Sequence, residues 1–163
     1  MRMRMTPDVL TEITDPQHQV FIVRRESQLP RWIDRTQLVY FFHDAMMPWQ
    51  DCHGDITRGL DYAFSSDKGK GGFLLLMAQN KKLCGALVML YTGMGGFVPE
   101  NLLLFVAVDP SLRGKGMGTK LIEMSIKECQ GSVKLHVDYD NPAKRLYERL
   151  GFKNKYAEMR LLR

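Results

Sequence analysis

NLLLFVAVDPSLRGKGMGTKLIEMSI, Asn101–Ile126, sets an unbroken apolar run, a glycine-rich turn and an amphipathic segment one after another. The apolar run does not alternate, as expected of a strand buried on both faces. The last part brings Leu121, Ile122, Ser125 and Ile126 to one face of a helix expected from about Gly114 to Cys129. Between strand and helix, Arg113, Lys115 and Lys120 stand among Gly114, Gly116 and Gly118. A helix N-terminus carries backbone N–H groups without internal partners and the positive end of the macrodipole. Glycines there remove the Cβ atoms that would hold an anion away from those amides. In an ordinary first helical turn each glycine costs about 1 kcal/mol against alanine. The turn therefore reads as a cradle for a diphosphate, with Arg113 and Lys115 adding charge at its mouth. It is not a nucleotide P-loop, since GxxxxGK[ST] is absent, and GKGMGT is GxGxG rather than GxGxxG.

Working outward, SVKLHVDYD (132–140) alternates as a strand, with Val133, Leu135 and Val137 on one side. The connection from the Val106 strand through the helix to this strand predicts a parallel βαβ pair. NPAKRLYERL (141–150) opens with an Asn-Pro start signal, and Gly151 stops it as a helix. KYAEMRLLR (155–163) reads as a closing strand. Upstream, KKLCGALVMLYT and FLLLMAQN form two strands joined by a tight polar hairpin. Two helices precede them. RWIDRTQLVYFFHDAM is amphipathic through Trp32, Leu38, Val39, Phe42 and Met46, and GDITRGLDYAFSS is weakened by Gly59. QVFIVRRES (19–27) is a first strand, and residues 1–18 read as a loose arm. The order β α α β β β α β α β predicts one domain over 1–163: an α/β (α+β) fold with a mixed sheet, hairpin-joined middle strands and helices on both faces.

Bulk composition narrows the function classes. An apolar fraction of 45% and a charged fraction of 25% suit a globular core, and 163 residues can bury roughly two-thirds of their unfolded surface without staples. No apolar run reaches the length of a membrane span and no signal-peptide pattern opens the chain, so the expectation is a cytoplasmic protein without membrane contact. Cys52, Cys84 and Cys129 are an odd, widely spaced set and read as free thiols. His18, His43, His53 and His136 lack ligand-like spacing, so no metal is expected. The net charge of +5 comes without a basic run interleaved with aromatics, which argues against nucleic acid as partner.

VAVDPSLRGKGMGTKLIE resembles the acetyl-CoA signature of the GNAT superfamily of N-acetyltransferases: Arg113, two residues, Gly116, one residue, Gly118. DNPAKRLYERLGF resembles the second signature through Asn141, Ala143, Tyr147 and Gly151-Phe152, although Asn141 and Ala143 are one residue closer than in many members. The resemblance runs from about Val20 onward, with clear motifs from Leu103 to Phe152. It implies a mostly antiparallel GNAT-like sheet whose central parallel strands splay around the pantetheine arm of acetyl-CoA, the co-substrate. On that reading, Val106, Ala107 and Val108 offer backbone groups to pantetheine, and Gly114, Lys115, Gly116, Met117, Gly118 and Thr119 hold the diphosphate. Arg113 and Asn141 would assist, and Tyr147 would protonate the leaving thiolate. The implied reaction is transfer of acetyl to a primary amine, small-molecule or peptide, by direct attack in a ternary complex. The alternative is a non-catalytic acyl-CoA-binding or regulatory module with the same fold. No single base stands out among Glu100, His136, Asp138 and the cluster His43, Asp44, Asp51, His53 and Asp55. A homodimer is admitted by the resemblance, and the acceptor is left open.

Overall fold

The computed structural model describes residues 10–13 and 15–163; the greater part of the expected loose arm, residues 1–9 and 14, lies outside the described residues. Its sheet has six strands in the order β1-β2-β3-β4-β5-β6. These are β1 (Thr11–Ile13), β2 (Gln19–Val23), β3 (Gly72–Gln79), β4 (Lys82–Tyr91), β5 (Asn101–Val108) and β6 (Val133–Leu135). All neighbours are antiparallel except β5 and β6, which are parallel. Thr11–Ile13, expected within the loose arm, is thus a strand paired with β2.

Two helices cover each face. α1 (Arg35–Ala45) and α2 (His53–Phe64) pack on one side through Leu38, Phe42, Ile56 and Leu60, against Leu74, Leu76, Val88 and Phe105 of the sheet. α3 (Met117–Glu128) and α4 (Ala143–Arg149) pack on the other through Leu121, Ile122 and Tyr147, against Leu75, Leu87 and Leu103. β3 and β4 are buried on both faces, which is why their sequences are apolar without alternation, whereas the equally apolar β5 alternates buried with partly buried residues.

Local signals explain the boundaries. α1 starts four residues after the expected helix because Asp34 accepts from the Gln37 backbone N–H at 2.8 Å while the Gln37 side chain accepts from Asp34 N–H at 2.9 Å, a reciprocal cap. The β3–β4 hairpin turns on Asn80 and Lys81, both at positive φ as a two-residue turn of this hand requires. Gly59, which weakened the expectation for α2, sits where a Cβ would fall 2.7 Å from Leu104 Cδ2 and 3.0 Å from Phe105 Cε2, so the glycine lets α2 approach β5 without displacing those side chains.

Three expectations are corrected. Residues 155–163 form no strand; no neighbouring strand pairs with them, and every residue from 153 to 163 is exposed. The strand expected over 132–140 is paired only at Val133–Leu135. Ile126, expected inside, is 37% exposed, and Met117 is buried in its place. The helix begins at Met117 rather than Gly114, and its buried arc of Met117, Leu121, Ile122 and Ser125 leaves Ile126 at the edge.

Candidate functional site

The site is built around a defect in β5. Leu103 pairs with Met89 and Phe105 with Val88, so Leu104 is an extra residue opposite β4. A bulge of this kind bends its strand and sharpens the local twist. The parallel pairing to β6 stops at the same place, with Leu103 opposite Leu135 as its last pair. Beyond it β5 continues to Val108 beside β4 alone, and the two parallel strands part. The Asp109 N–H donates to Cys84 O at 2.8 Å on the β4 side. Successive residues of a strand point their backbone groups to opposite edges. The N–H and C=O of Val108 and Val106 therefore face the opened edge, and those of Ala107 face β4.

The glycine loop lies at the end of this opening. Asp109 Oδ1 accepts from Ser111 N–H at 2.9 Å, fixing a 3₁₀ turn over Pro110–Leu112. Gly114 and Gly116 both have φ of 78°, a left-handed conformation unfavourable to side-chain-bearing residues, and Gly116 is the N-cap of α3. No side chain caps α3. Among the described residues the amides of Met117, Gly118 and Thr119 have no acceptor. A Cβ on Gly118 would lie 3.6 Å from Leu146 Cδ2 and 3.9 Å from Val108 Cγ2, so the loop adjoins both the opened strand and α4. Positive φ, rather than steric clearance alone, is the reason for two of the three glycines.

The three cations of the loop have different surroundings. Arg113 Nη2 donates to the Ala45 carbonyl in the last turn of α1. Lys120 Nζ pairs with Asp15 at 2.5 Å, and the Asp15 side chain is only 4% exposed. Lys120, Asp15's strongest partner, holds that carboxyl down at about 2. Lys115 is exposed, without an anionic partner among the described residues, and lines a cleft of about 420 Å³ with Gly116, Lys120, His18 and Gln17. Neither the Arg113 link to α1 nor the Asp15 pair carries a sequence signal, since both join segments far apart in the chain.

Tyr147 is buried against Met117, Val106, Val108 and Leu146 in one apolar cluster, its ring meeting Phe152 edge-on at 5.9 Å between centroids. Burial pushes its phenol up to about 12, so the proton stays on at neutral pH. Asn141 opens α4: its Oδ1 accepts from Ala143 N–H at 2.9 Å, leaving its Nδ2 to donate elsewhere.

The base candidates separate by position. Glu100 sits at the end of β5 away from Val108; its carboxylate accepts from Ser132 N–H at 2.7 Å and from its own N–H, and both bonds lower its pKa. His43 and His53 stack on each other with centroids 4.1 Å apart, and His43 Nδ1 lies 2.9 Å from Asp44. Asp51, in the α1–α2 link, is raised by burial and by the negative charges of Asp55 and Asp138, against the pull of Arg160. The link is thereby placed near the end of β6. Gln50 Oε1 beside it is buried without a donor among the described residues. Two of the cysteines are held as thiols: burial pushes Cys129 up to about 11 and raises Cys84, whose Sγ faces Lys82 O. Cys52 Sγ accepts from Asp55 N–H at 3.4 Å at the start of α2. Among the described residues no cluster of three or more His, Cys, Asp or Glu could hold a metal, and no helix is long and apolar enough to cross a membrane.

A sheet opened at a bulge and ending on an uncapped, glycine-started helix is the arrangement that the resemblance at Arg113–Gly118 and Asn141–Phe152 implies. The chain belongs to the acetyltransferase (GNAT) family, whose model matches residues 34–152. It is similar in structure to a possible acetyltransferase from Clostridium difficile 630, with 17% identity, coverage of 88% of this chain and 97% of that one, and a TM-score of 0.62. It is similar as well to the ribosomal-protein-S18-alanine N-acetyltransferase of Escherichia coli, with 18% identity, 84% and 79% coverage and a TM-score of 0.56. In sequence it matches the mouse cysteine-rich protein 2-binding protein at 40% identity over 57 residues, 34% of this chain but 7% of that protein.

Proposed function

We propose that this protein is an acetyl-CoA-dependent N-acetyltransferase that moves an acetyl group to a primary amine by direct attack in a ternary complex. The observation that carries the proposal is the continuity between the opened β5 edge and the uncapped α3 amides, with Gly118 beside Val108. A pantetheine arm needs backbone partners along an extended line, and a diphosphate needs a ring of N–H groups at its end. Val106 and Val108 supply the first, and the loop from Gly114 to Thr119 supplies the second, with Lys115 as its exposed cation.

In the reaction the amine nitrogen forms a bond to the thioester carbonyl carbon and negative charge develops on the carbonyl oxygen. The Val108 N–H, aimed at the opening, donates to that oxygen; one such donor contributes about 3 kcal/mol in comparable sites. The C–S bond then breaks, Tyr147 donates its phenolic hydrogen to the leaving sulfur, and the proton that the attacking nitrogen sheds as it becomes an amide returns the phenol to its neutral form. A phenol that keeps its proton at neutral pH is in the correct state for that step. An alkylammonium has a pKa near 10 and must lose a proton before attack. Asp51 with Asp138 and Asp55 provides a negative field that suits a cationic acceptor, and the raised proton affinity of Asp51 suits it to take that proton. The buried thiols favour direct transfer over an acyl-cysteine route.

An amine panel assayed by free-thiol release from acetyl-CoA tests the proposal. Turnover with at least one primary amine is expected. Binding of acetyl-CoA without turnover across the panel would instead support the acyl-CoA-binding module.

A further inference from the structure

β5 and β6 form a hinge: they pair at Asn101–Val133, Leu102–Lys134 and Leu103–Leu135, and then part. The closed end of this hinge carries polar groups that the proposed reaction does not use. Asn101 is only 1% exposed, a buried amide at the first position of an otherwise apolar strand. Its Nδ2 donates to Gln130 O at 2.7 Å and to Ser132 O at 3.1 Å, and its backbone N–H donates to Ser132 O at 3.1 Å. In the opposite direction, Ser132 N–H donates to Glu100 Oε2 at 2.7 Å. Gly131, at a φ of 82°, sits where a Cβ would fall 2.4 Å from the same carboxylate oxygen, so the turn between α3 and β6 lies against Glu100.

Burying an amide costs free energy unless its hydrogen bonds are made, so a leucine would serve packing alone at position 101. What the amide adds is direction. Apolar attraction is non-directional. α4 rests beside β5 through Leu146 and Tyr147, in one apolar cluster with Val106 and Val108, and that contact holds the two banks together without fixing the angle between them. The bonds at the closed end fix it. A strand rises about 3.3 Å per residue, so the run from Asn101 to Val108 is a lever of about 20 Å, and a tilt of about 3° at its foot moves the far end by about 1 Å. A misplacement of that size at reacting groups costs on the order of a hundredfold in rate.

We infer, building on the acetyl-transfer reading, that Asn101 and Glu100 are positioning residues for acyl transfer. Together they pin the turn over 130–132 to the start of β5, and so set how far β6 and α4 stand from Val106 and Val108 at the open end. The Val108 N–H addresses the thioester oxygen from one bank and Tyr147 addresses the sulfur from the other, so the angle of the hinge sets the distance between them. Neither Asn101 nor Glu100 touches the reacting atoms: both lie at the opposite end of β5 from Val108. The diphosphate loop continues directly from β5 through Asp109–Arg113 and stays with that bank when the hinge loosens. Loss of the clamp therefore falls on kcat and spares the KM for acetyl-CoA.

Initial rates of thiol release, with acetyl-CoA and an amine that turns over in the panel, test this on Glu100→Ala, Glu100→Gln and Asn101→Leu. Glu100→Ala removes the acceptor of Ser132 N–H, and Glu100→Gln keeps an amide oxygen in its place. Glu100→Ala is expected to lower kcat about tenfold and to leave the KM for acetyl-CoA within about twofold of the wild type. Glu100→Gln is expected to recover kcat to within about twofold, the rescue that a retained hydrogen bond gives. Asn101→Leu is expected to lower kcat at least as far as Glu100→Ala; if it fails to fold, the two Glu100 variants decide. A Glu100 that took the proton of the amine would leave Glu100→Gln as slow as Glu100→Ala, and that result overturns the inference. A Glu100→Ala enzyme with the wild-type kcat overturns it too, as does one whose loss lies in the KM for acetyl-CoA. A wild type that turns over no amine of the panel overturns the acetyl-transfer reading itself, and the positioning role with it.

Discussion

In the proposed reaction Tyr147 and Gly116 act through different physics. Tyr147 is surrounded by apolar side chains, so removing its hydroxyl leaves the packing with Phe152 and Leu146 in place. Tyr147→Phe is expected to retain acetyl-CoA affinity by calorimetry and to lose about a hundredfold in kcat, the size of a general-acid contribution. An unchanged kcat would remove the phenol from the reaction. Gly116 acts through its backbone. Alanine in its left-handed conformation costs about 1–2 kcal/mol, and relief of that strain would turn the α3 amides away from the anion. Gly116→Ala is expected to raise the KM for acetyl-CoA by tenfold or more and to lower the Tm by a few degrees, since open space around the position does not relieve its left-handed backbone. At Asp51, substitution by Asn is expected to raise the KM for the amine and leave that for acetyl-CoA alone, as initial rates with each substrate varied would show.

At the scale of elements, the link between β1 and β2 is tied to α3 by the Asp15–Lys120 pair. The folded carboxyl titrates at about 2, below its ordinary value of 3.8. Its contribution to stability is therefore present above pH 4 and is lost as pH falls from about 4 toward 2. Thermal melts of the wild type should lose stability across that window. Asp15→Asn should melt lower at pH 7 and lose less on acidification; equal acid sensitivity would show that the pair does not hold the link. In the sheet, Gly72 of β3 passes so close to the Met89 carbonyl of β4 that no rotamer could make room for a Cβ. Gly72→Ala is expected to cost about 2–3 kcal/mol by denaturant unfolding.

For the molecule as a whole, the apolar runs of β3, β4 and β5, the Asn80-Lys81 hairpin and the glycine loop made most of the architecture legible, because each is a local pattern with one structural solution. What escaped was non-local. The bulge at Leu104 has no mark in a run of leucines, and it coincides with the point where β5 and β6 part. Arg113 read as a phosphate cation, and nothing near it in the chain points to Ala45. Residues 155–163 have strand composition, but a strand needs a neighbour, and composition does not say whether one is in reach. Glu100 was an open candidate until the direction of β5 put it at the far end from Val108.

Everything proposed for acyl transfer depends on where the two ends of one ligand lie. A crystal structure with acetyl-CoA and Tyr147→Phe, to slow turnover, measures this directly. The diphosphate is expected on the amides between Gly114 and Thr119, with the thioester oxygen at hydrogen-bond distance from Val108 N–H. A diphosphate bound elsewhere, or a thioester outside the opening between β5 and β6, would contradict the account.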